Sequence, residues 1–540
     1  MIDATTKKLT LFNLWVAFGS FGLACLFGMY QVLERSGLFS FLQSPSVYFA
    51  SVSTHGVLMA FVLTTFFIMG FGYYTATISL DRPIWNPQLA WAGYGVCLSG
   101  VVLAAIPLLL GKASVLYTFY PPIQANAFFY IGATLLVVGS WFWCVVMIVM
   151  LAQWKKEHPG VAVPLPMFAT TANAFLWLWT STGVALEAVF QLLPWSLGLM
   201  DTIDVGLART LFAWTLHPIV YFWLIPAYIV LYCYVPQAAG GKLFSDVLAR
   251  LAFLLIMVLG LPIGFHHLYM DPEQAAGWKF LHMVGTFAVA IPTLLTGFTV
   301  IASLEMAGRQ RGGKGLFGWI GALPWKTPMV LAAILSLLML VLGGFGGIVN
   351  ASYAMNAMIH NTAWVPGHFH LIFAGTVVTM YFAAAYEVWP KLCGRKLFSE
   401  DMALIQLWSW FIGMGIMTTP WHVLGLLGQP RRISAVHYNS VLTLSWDPYE
   451  LLMVLGGLVL LVSACLFVYL LFKTQVAGEA KESQLDAEVQ TLHKEQKLPD
   501  WLNDFTLWNR LILVLMVLSY GFPILQFFFL NTHSPTAWGY

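Results

Sequence analysis

The sequence predicts an all-α fold: a polytopic membrane bundle of about 13 transmembrane helices, N-terminus cytoplasmic and C-terminus outside. Three observations predict it. First, 59% of the 540 residues are hydrophobic and 9% are charged, with a mean hydropathy of +0.79. A soluble domain carries roughly 25% charged residues, so lipid must solvate most of this surface. Second, apolar windows long enough to cross ~30 Å of hydrocarbon recur along the whole chain. Third, those windows are continuous, without the alternation of barrel strands, and only helices and closed barrels satisfy their backbones in lipid. The net charge of +2 implies neither a nucleic-acid nor an acidic partner.

The windows fall in order. The first, 11–32, follows Lys7 and Lys8 and is too long for the apolar part of a cleavable signal. The next four are 47–74, 87–111, 125–153 and 168–196. A sixth at 208–235 contains His217, and a seventh at 247–270 contains Pro262, Gly264, His266 and His267. The eighth, 277–305, has threonines three apart, and 328–352 is almost wholly apolar. The tenth, 361–390, contains His368 and His370, and 403–427, 446–473 and 507–530 complete the set. The chain reads as one unit, 1–540. It comprises a 12-helix core to about 473, a cytoplasmic linker over about 474–506 and an extra C-terminal helix over about 507–530. The linker is rich in Glu, Gln and Lys, solvated, with a composition compatible with helix.

Charge sets the orientation. With the N-terminus inside, only Arg35, Lys112, Arg209, Lys279, Arg431 and Arg432 of the 25 basic residues lie outside. The remainder face the cytoplasm, as the positive-inside rule requires. The six cysteines are scattered and form no C-x-x-C, so neither a zinc ribbon, a redox dithiol nor covalent haem is suggested.

Polar side chains inside spans are costly and are functional candidates. His158, His493 and His533 fall in loops or tails and read as surface residues. His55, His217, His266, His267, His368 and His370 reach one depth, near the outer ends of four spans. A layer of imidazoles inside a helical bundle points to a metal or haem between helices. His368 and His370 are two residues apart, so on a helix they point ~200° apart and serve two different centres. His266 and His267 are adjacent and could share a metal only with backbone distortion, which Pro262 and Gly264 permit. His217 and Tyr221 are four apart and share a face.

These residues resemble subunit I of the heme-copper oxygen reductases, over most of the chain, and most of all the B-type branch of ba-type cytochrome c oxidases. The resemblance is carried by Ser53-Thr54-His55-Gly56, His217-Pro218-Ile219-Val220-Tyr221, Gly264-Phe265-His266-His267 and the stretch from His360-Asn361 to His370. Tyr120-Pro121-Pro122 and Gln429-Pro430-Arg431-Arg432 also match. It implies a terminal respiratory oxidase in a prokaryotic plasma membrane. His55 and His370 would ligate a low-spin haem b. His368 would be the proximal ligand of a high-spin haem, its a-, o- or b-type left open. His217, His266 and His267 would hold one copper ion, with Tyr221 linked covalently to His217 and donating during oxygen cleavage. Arg431, Arg432 and His360 would meet the haem propionates. No dicopper motif occurs in this chain. Electrons would therefore enter through a subunit II carrying a dicopper centre, from cytochrome c or a small copper protein, with oxygen as acceptor. A quinol donor stays open.

Protons need a route from the inside. Tyr228 and Tyr232 continue the face of Tyr221, and Thr293, Thr296 and Thr299 line the eighth span. Hydroxyls relay protons without fixed charge, and the family's single-channel branch uses such a path. Threonine and tyrosine also pack helices in membranes. Ile219 stands where the A-type branch has a glutamate, which argues against a second channel. Glu187 reads equally as a structural acid or a proton carrier; Glu305 and Glu387 read as interfacial. Two rivals remain: a nitric oxide reductase of the same superfamily, and a proton-coupled transporter.

Overall fold

The computed structural model describes residues 3–434, 436, 440–481, 489–492 and 498–529. Among them the spans are α1 (Ala4–Arg35), α2 (Pro45–Leu80), α3 (Pro87–Leu109), α4 (Ala127–Glu157), α5 (Leu165–Ser196) and α6 (Val205–Ala238). They continue with α7 (Asp246–Gly260), α8 (Ala276–Gln310), α9 (Pro328–Ala351), α10 (Trp364–Cys393), α11 (Glu400–Leu426), α12 (Val441–Ala477) and α13 (Thr506–Phe529). The described residues contain no β-strand, only isolated bridges, so the all-α expectation holds.

Local chemistry sets the ends. Asp3 accepts from the amides of Thr5 and Thr6 at the start of α1. Asn126 caps α4 and Ser245 caps α7 in the same way, each satisfying an otherwise orphaned donor. Proline opens α2, α3 and α9, where its missing N–H costs nothing. Gly394, at φ 65°, ends α10 in the left-handed conformation.

Twelve of the spans are long and apolar enough to cross a membrane. The seventh departs from expectation: the apolar run continues to about 270, yet helix α7 ends at Gly260. Pro262 cannot donate to a helical carbonyl, and the chain turns into a single 3-10 turn at Phe265–His267. Irregular backbone at membrane depth is tolerated only when buried in protein. Leu261, Ile263 and Phe265 are indeed buried.

Burial ranks the helices. The most apolar stretches of α2, α6 and α10 are 83%, 89% and 83% buried, against 33% for α13 and 39% for α3. The three innermost helices are the ones carrying His55, His217, His368 and His370. Two of them are locally widened. A π-helical segment, Leu58–Leu63, follows His55, and another, Leu371–Val378, follows His370 directly. Such insertions redirect side chains and recur at functional sites. In α6 the helix breaks at His217, because Pro218 starts a new helical stretch.

The segment expected as a linker is tethered where it is described. Lys396 N–H donates to Glu479 O at 2.8 Å, Lys481 N–H to Gly394 O at 3.0 Å, and Leu243 N–H to Gln490 O at 2.8 Å. Its described residues hold one 3-10 turn, Asp500–Leu502. His493 and His533, and the end of the window at 530, lie outside the described residues.

Candidate functional site

Three carbonyls determine which ring nitrogen three of the histidines present. His55 Nδ1 lies 2.8 Å from Ala24 O on α1. His370 Nδ1 is 2.7 Å from Pro366 O, and His368 Nδ1 is 2.9 Å from Gly343 O on α9. A carbonyl only accepts, so each Nδ1 carries the proton and each Nε2 keeps its lone pair for a metal. Small residues make room for these rings. A Cβ on Gly28 would come within 3.2 Å of His55 Cε1, and one on Gly346 within 3.0 Å of His368 Nδ1.

The rings of His55 and His370 face each other in near-parallel planes, 16° apart, with centroids separated by 6.2 Å. That is too wide for ring stacking. It fits two metal–nitrogen bonds of ~2 Å plus half a ring on either side. The pair therefore suits one metal ion between the two rings. His368, on the same helix, is hydrogen-bonded to α9 and presents its own Nε2 separately.

His217, His266 and His267 each bring a ring nitrogen within 4.8 Å of the others. The 3-10 turn makes this possible: it packs the two adjacent rings at 4.3 Å, and His217 approaches His266 at 4.3 Å and His267 at 5.8 Å. His217 Nε2 is bonded to Tyr221 Oη at 2.8 Å, leaving Nδ1 toward the cluster. Thr286 Oγ1 contacts His266 Nδ1 at 3.1 Å and donates to His282 O at 2.6 Å. His266 Nδ1 is therefore the donor, and Nε2 is free to ligate. His267 Nε2 is buried with no hydrogen-bond partner. An orphaned ring nitrogen beside two other imidazoles is what a three-nitrogen metal site requires, and the donor set suits copper.

Above this layer lies a cationic loop. The Gln429–Arg432 segment pairs with 361–363, just before α10: Ala363 N–H donates to Gln429 O at 2.8 Å and Arg431 N–H to Asn361 O at 2.9 Å. Arg431 also donates from Nε and Nη2 to Asn361 Oδ1. Asn361 and Arg432 hold φ of 58° and 60°, strained values that persist only where surroundings enforce them. Gln429 is clamped by Arg35 at 2.6 Å and by Glu450 at 2.7 Å, themselves a buried ion pair. The guanidinium of Arg432 stacks 5.1 Å over Tyr120. Burial, with Arg432 adjacent, pulls Arg431 down to about 9. Burial and the Arg431 charge pull His360 down to about 4. Among the described residues neither the Arg431 nor the Arg432 guanidinium is ion-paired with a carboxylate, an arrangement that fits the carboxylates of a haem.

Of the hydroxyls, Tyr232 Oη donates to Thr296 Oγ1 at 2.8 Å. Tyr228 faces Thr293 and Thr296 but makes no direct hydrogen bond. Thr293 and Thr299 bond to carbonyls of their own helix and not to the tyrosines. Glu187 is fully buried, and neither carboxylate oxygen has a partner. Glu305 and Glu387 pair with Arg309 and Lys391 at an exposed helix end, as expected of interfacial acids. His158 stacks on Trp154. The sequence reading left His282 and His422 unplaced. His282 contacts the turn that carries His266 and His267, and its one sequence signal is the i, i+4 pairing with Thr286.

The comparisons agree with this geometry. Residues 8–459 match the family described as cytochrome c and quinol oxidase polypeptide I. The chain is 41% identical to cytochrome c oxidase subunit 1 of Thermus thermophilus over 97% of its length and 95% of the relative's. It is 26% identical to the subunit 1 of Thermostichus vulcanus, covering 81% and 78%. A solved heme-copper terminal oxidase, described as a dimer, superposes with a TM-score of 0.93 at 36% identity, covering 97% of this chain and 93% of that one. With helices fit to cross a membrane and bacterial oxidase relatives, it is a multi-pass plasma-membrane protein. The chain belongs to the cytochrome c and quinol oxidase polypeptide I family, as the catalytic subunit I of a heme-copper terminal oxidase.

Proposed function

We propose that this chain is a B-type oxygen reductase subunit that converts oxygen to water with electrons from cytochrome c or a small copper protein, delivered through a subunit II with a dicopper centre. It works as one membrane unit over 1–540. His55 and His370 would hold a low-spin haem b, His368 a high-spin haem of a-, o- or b-type, and His217, His266 and His267 one copper ion. When bound, these groups supply the redox chemistry that reduces oxygen.

The protein's own residues do the rest. His55 and His370, facing each other, would hold their haem from both sides and leave oxygen no open position there. His368 acts from one face only. The Tyr221 hydroxyl, hydrogen-bonded to His217 Nε2, is placed to give up a proton beside the cluster. Tyr232 and Thr296 pass protons along their 2.8 Å contact, and Tyr228, Thr293 and Thr299 extend this single track toward Tyr221 and the cytoplasm. Arg431, Arg432 and His360 would receive the propionates, where paired guanidiniums bind carboxylates best.

The observation that carries this reading is the imidazole trio, with its unpartnered His267 Nε2 and a phenol on its third member. Tyr221→Phe keeps the ring and deletes the proton. Oxygen turnover should fall roughly 100-fold or more, with both haem bands retained. Parent-like turnover in that variant would contradict the assignment.

A further inference from the structure

His282 has no part in the scheme above, yet it touches the backbone of the metal-ligand turn. Past Pro262 the chain leaves helix α7, so the Gly264 and Phe265 amides have no helical carbonyl to receive them. Both donate to His282 Nδ1, at 3.0 and 3.3 Å. Nδ1 is therefore an acceptor and Nε2 carries the proton. That proton goes to Ser519 O on α13, at 3.1 Å. The imidazole lies flat on Phe265, centroids 3.9 Å apart and planes 6° apart. One helical turn later Thr286 accepts from His266 Nδ1 and donates to His282 O.

The thirteenth helix reaches the same turn a second way. Tyr520 donates to Ala213 O on α6 at 3.1 Å, and its ring meets His282 edge-on at 5.3 Å. Gly264 has no room for a side chain: a Cβ would lie 2.3 Å from both Ala213 O and Tyr520 Oη. The turn is thus wedged between α6, α8 and α13.

We propose that His282 is a positioning residue for the metal histidines, holding their turn by the Gly264 and Phe265 amides. The proposal rests on the reading that His217, His266 and His267 hold copper. Buried backbone amides must be satisfied, and here one ring satisfies two of them while its other nitrogen is fixed by α13. His266 and His267 inherit their position from that bracket. Partners of this kind shift metal affinity by roughly 10–100-fold.

The test uses three full-length variants purified with their partner subunits. His282→Asn places an acceptor where Nδ1 stood, counting atoms from Cβ, but loses the bond to Ser519. His282→Gln reaches the Nε2 position instead and leaves the two amides bare. His282→Phe keeps the stacked ring and loses both bonds. The readouts are haem content, copper-to-iron ratio and the half-life of copper during dialysis against a chelator. Haem should be retained, because its ligands lie on α2 and α10. Copper half-life should fall at least tenfold in His282→Gln and His282→Phe, and stay within about threefold of the parent in His282→Asn. Equal half-lives in parent and variants, or no advantage of Asn over Gln, would overturn the proposal. The Asn–Gln comparison decides even where the Phe variant fails to assemble. A parent with no more copper than a His266→Ala, His267→Ala double variant, which keeps only the copper of subunit II, would instead sink the underlying site reading.

Discussion

A histidine offers a metal only the nitrogen its other hydrogen bond leaves free. For His55, His368 and His370 that choice is made by Ala24, Gly343 and Pro366 carbonyls. The sequence showed which histidines gather, because topology brings them to one depth. It could not show the tautomers, since the Ala24 and Gly343 carbonyls come from other helices. Two substitutions test the layer. Gly260→Ala puts a Cβ 2.8 Å from the ring of Tyr221, so the phenol must move off His217. Turnover should fall roughly 100-fold with haem content intact, measured by oxygen electrode and spectrum. Arg431→Gln removes a positive charge from above the haem layer. A reduced haem carries one more negative charge than an oxidised one, so losing the cation lowers the haem midpoint potential, as spectroelectrochemistry would record. An unchanged or raised potential would place the propionates elsewhere.

Hydrophobicity reveals that a helix exists but not how it winds. Twelve of the thirteen windows hold helices long and apolar enough to span, and were legible for that reason. The end of α7 was not, because Leu261, Ile263 and Phe265 keep the run apolar after helix has stopped. The π-helical segments after His55 and His370 leave no mark in composition. Nor was the anchoring of α13 visible. Its approach is pinned at the cytoplasmic end by Arg250, buried on α7, which donates to Asp246, to Asn503 and to Val163 O. Trp179 on α5 donates to Asn509 one turn into the helix. Arg250→Ala leaves the part-buried Asp246 and Asn503 acceptors without their donor. It should lower stability by about 3 kcal/mol, read as an earlier thermal loss of the haem spectrum, without altering that spectrum at low temperature.

Across the molecule, burial and chemistry coincide. The three innermost helices hold four of the six histidines, and the 3-10 turn after α7 holds the other two. The outer helices turn residues such as Leu294, Val341 and Phe345 toward lipid. Scarce charge is concentrated in the arginine loop above the site and at the cytoplasmic ends. The family and the membrane location were legible from motif and composition. The roles of the hydroxyl track and of Glu187 were not, because hydroxyls and a lone acid serve packing as readily as proton transfer. The claim at the centre is that one bundle holds two haems and one copper. Pyridine haemochrome analysis with copper and iron quantified on the purified complex tests it directly, after subtracting the copper of subunit II by comparison with a His266→Ala, His267→Ala double variant. The account predicts two haem irons per chain and one copper that the double variant lacks. Haems accompanied by a further non-haem iron, with no copper lost in the double variant, would contradict it, as would a colourless protein.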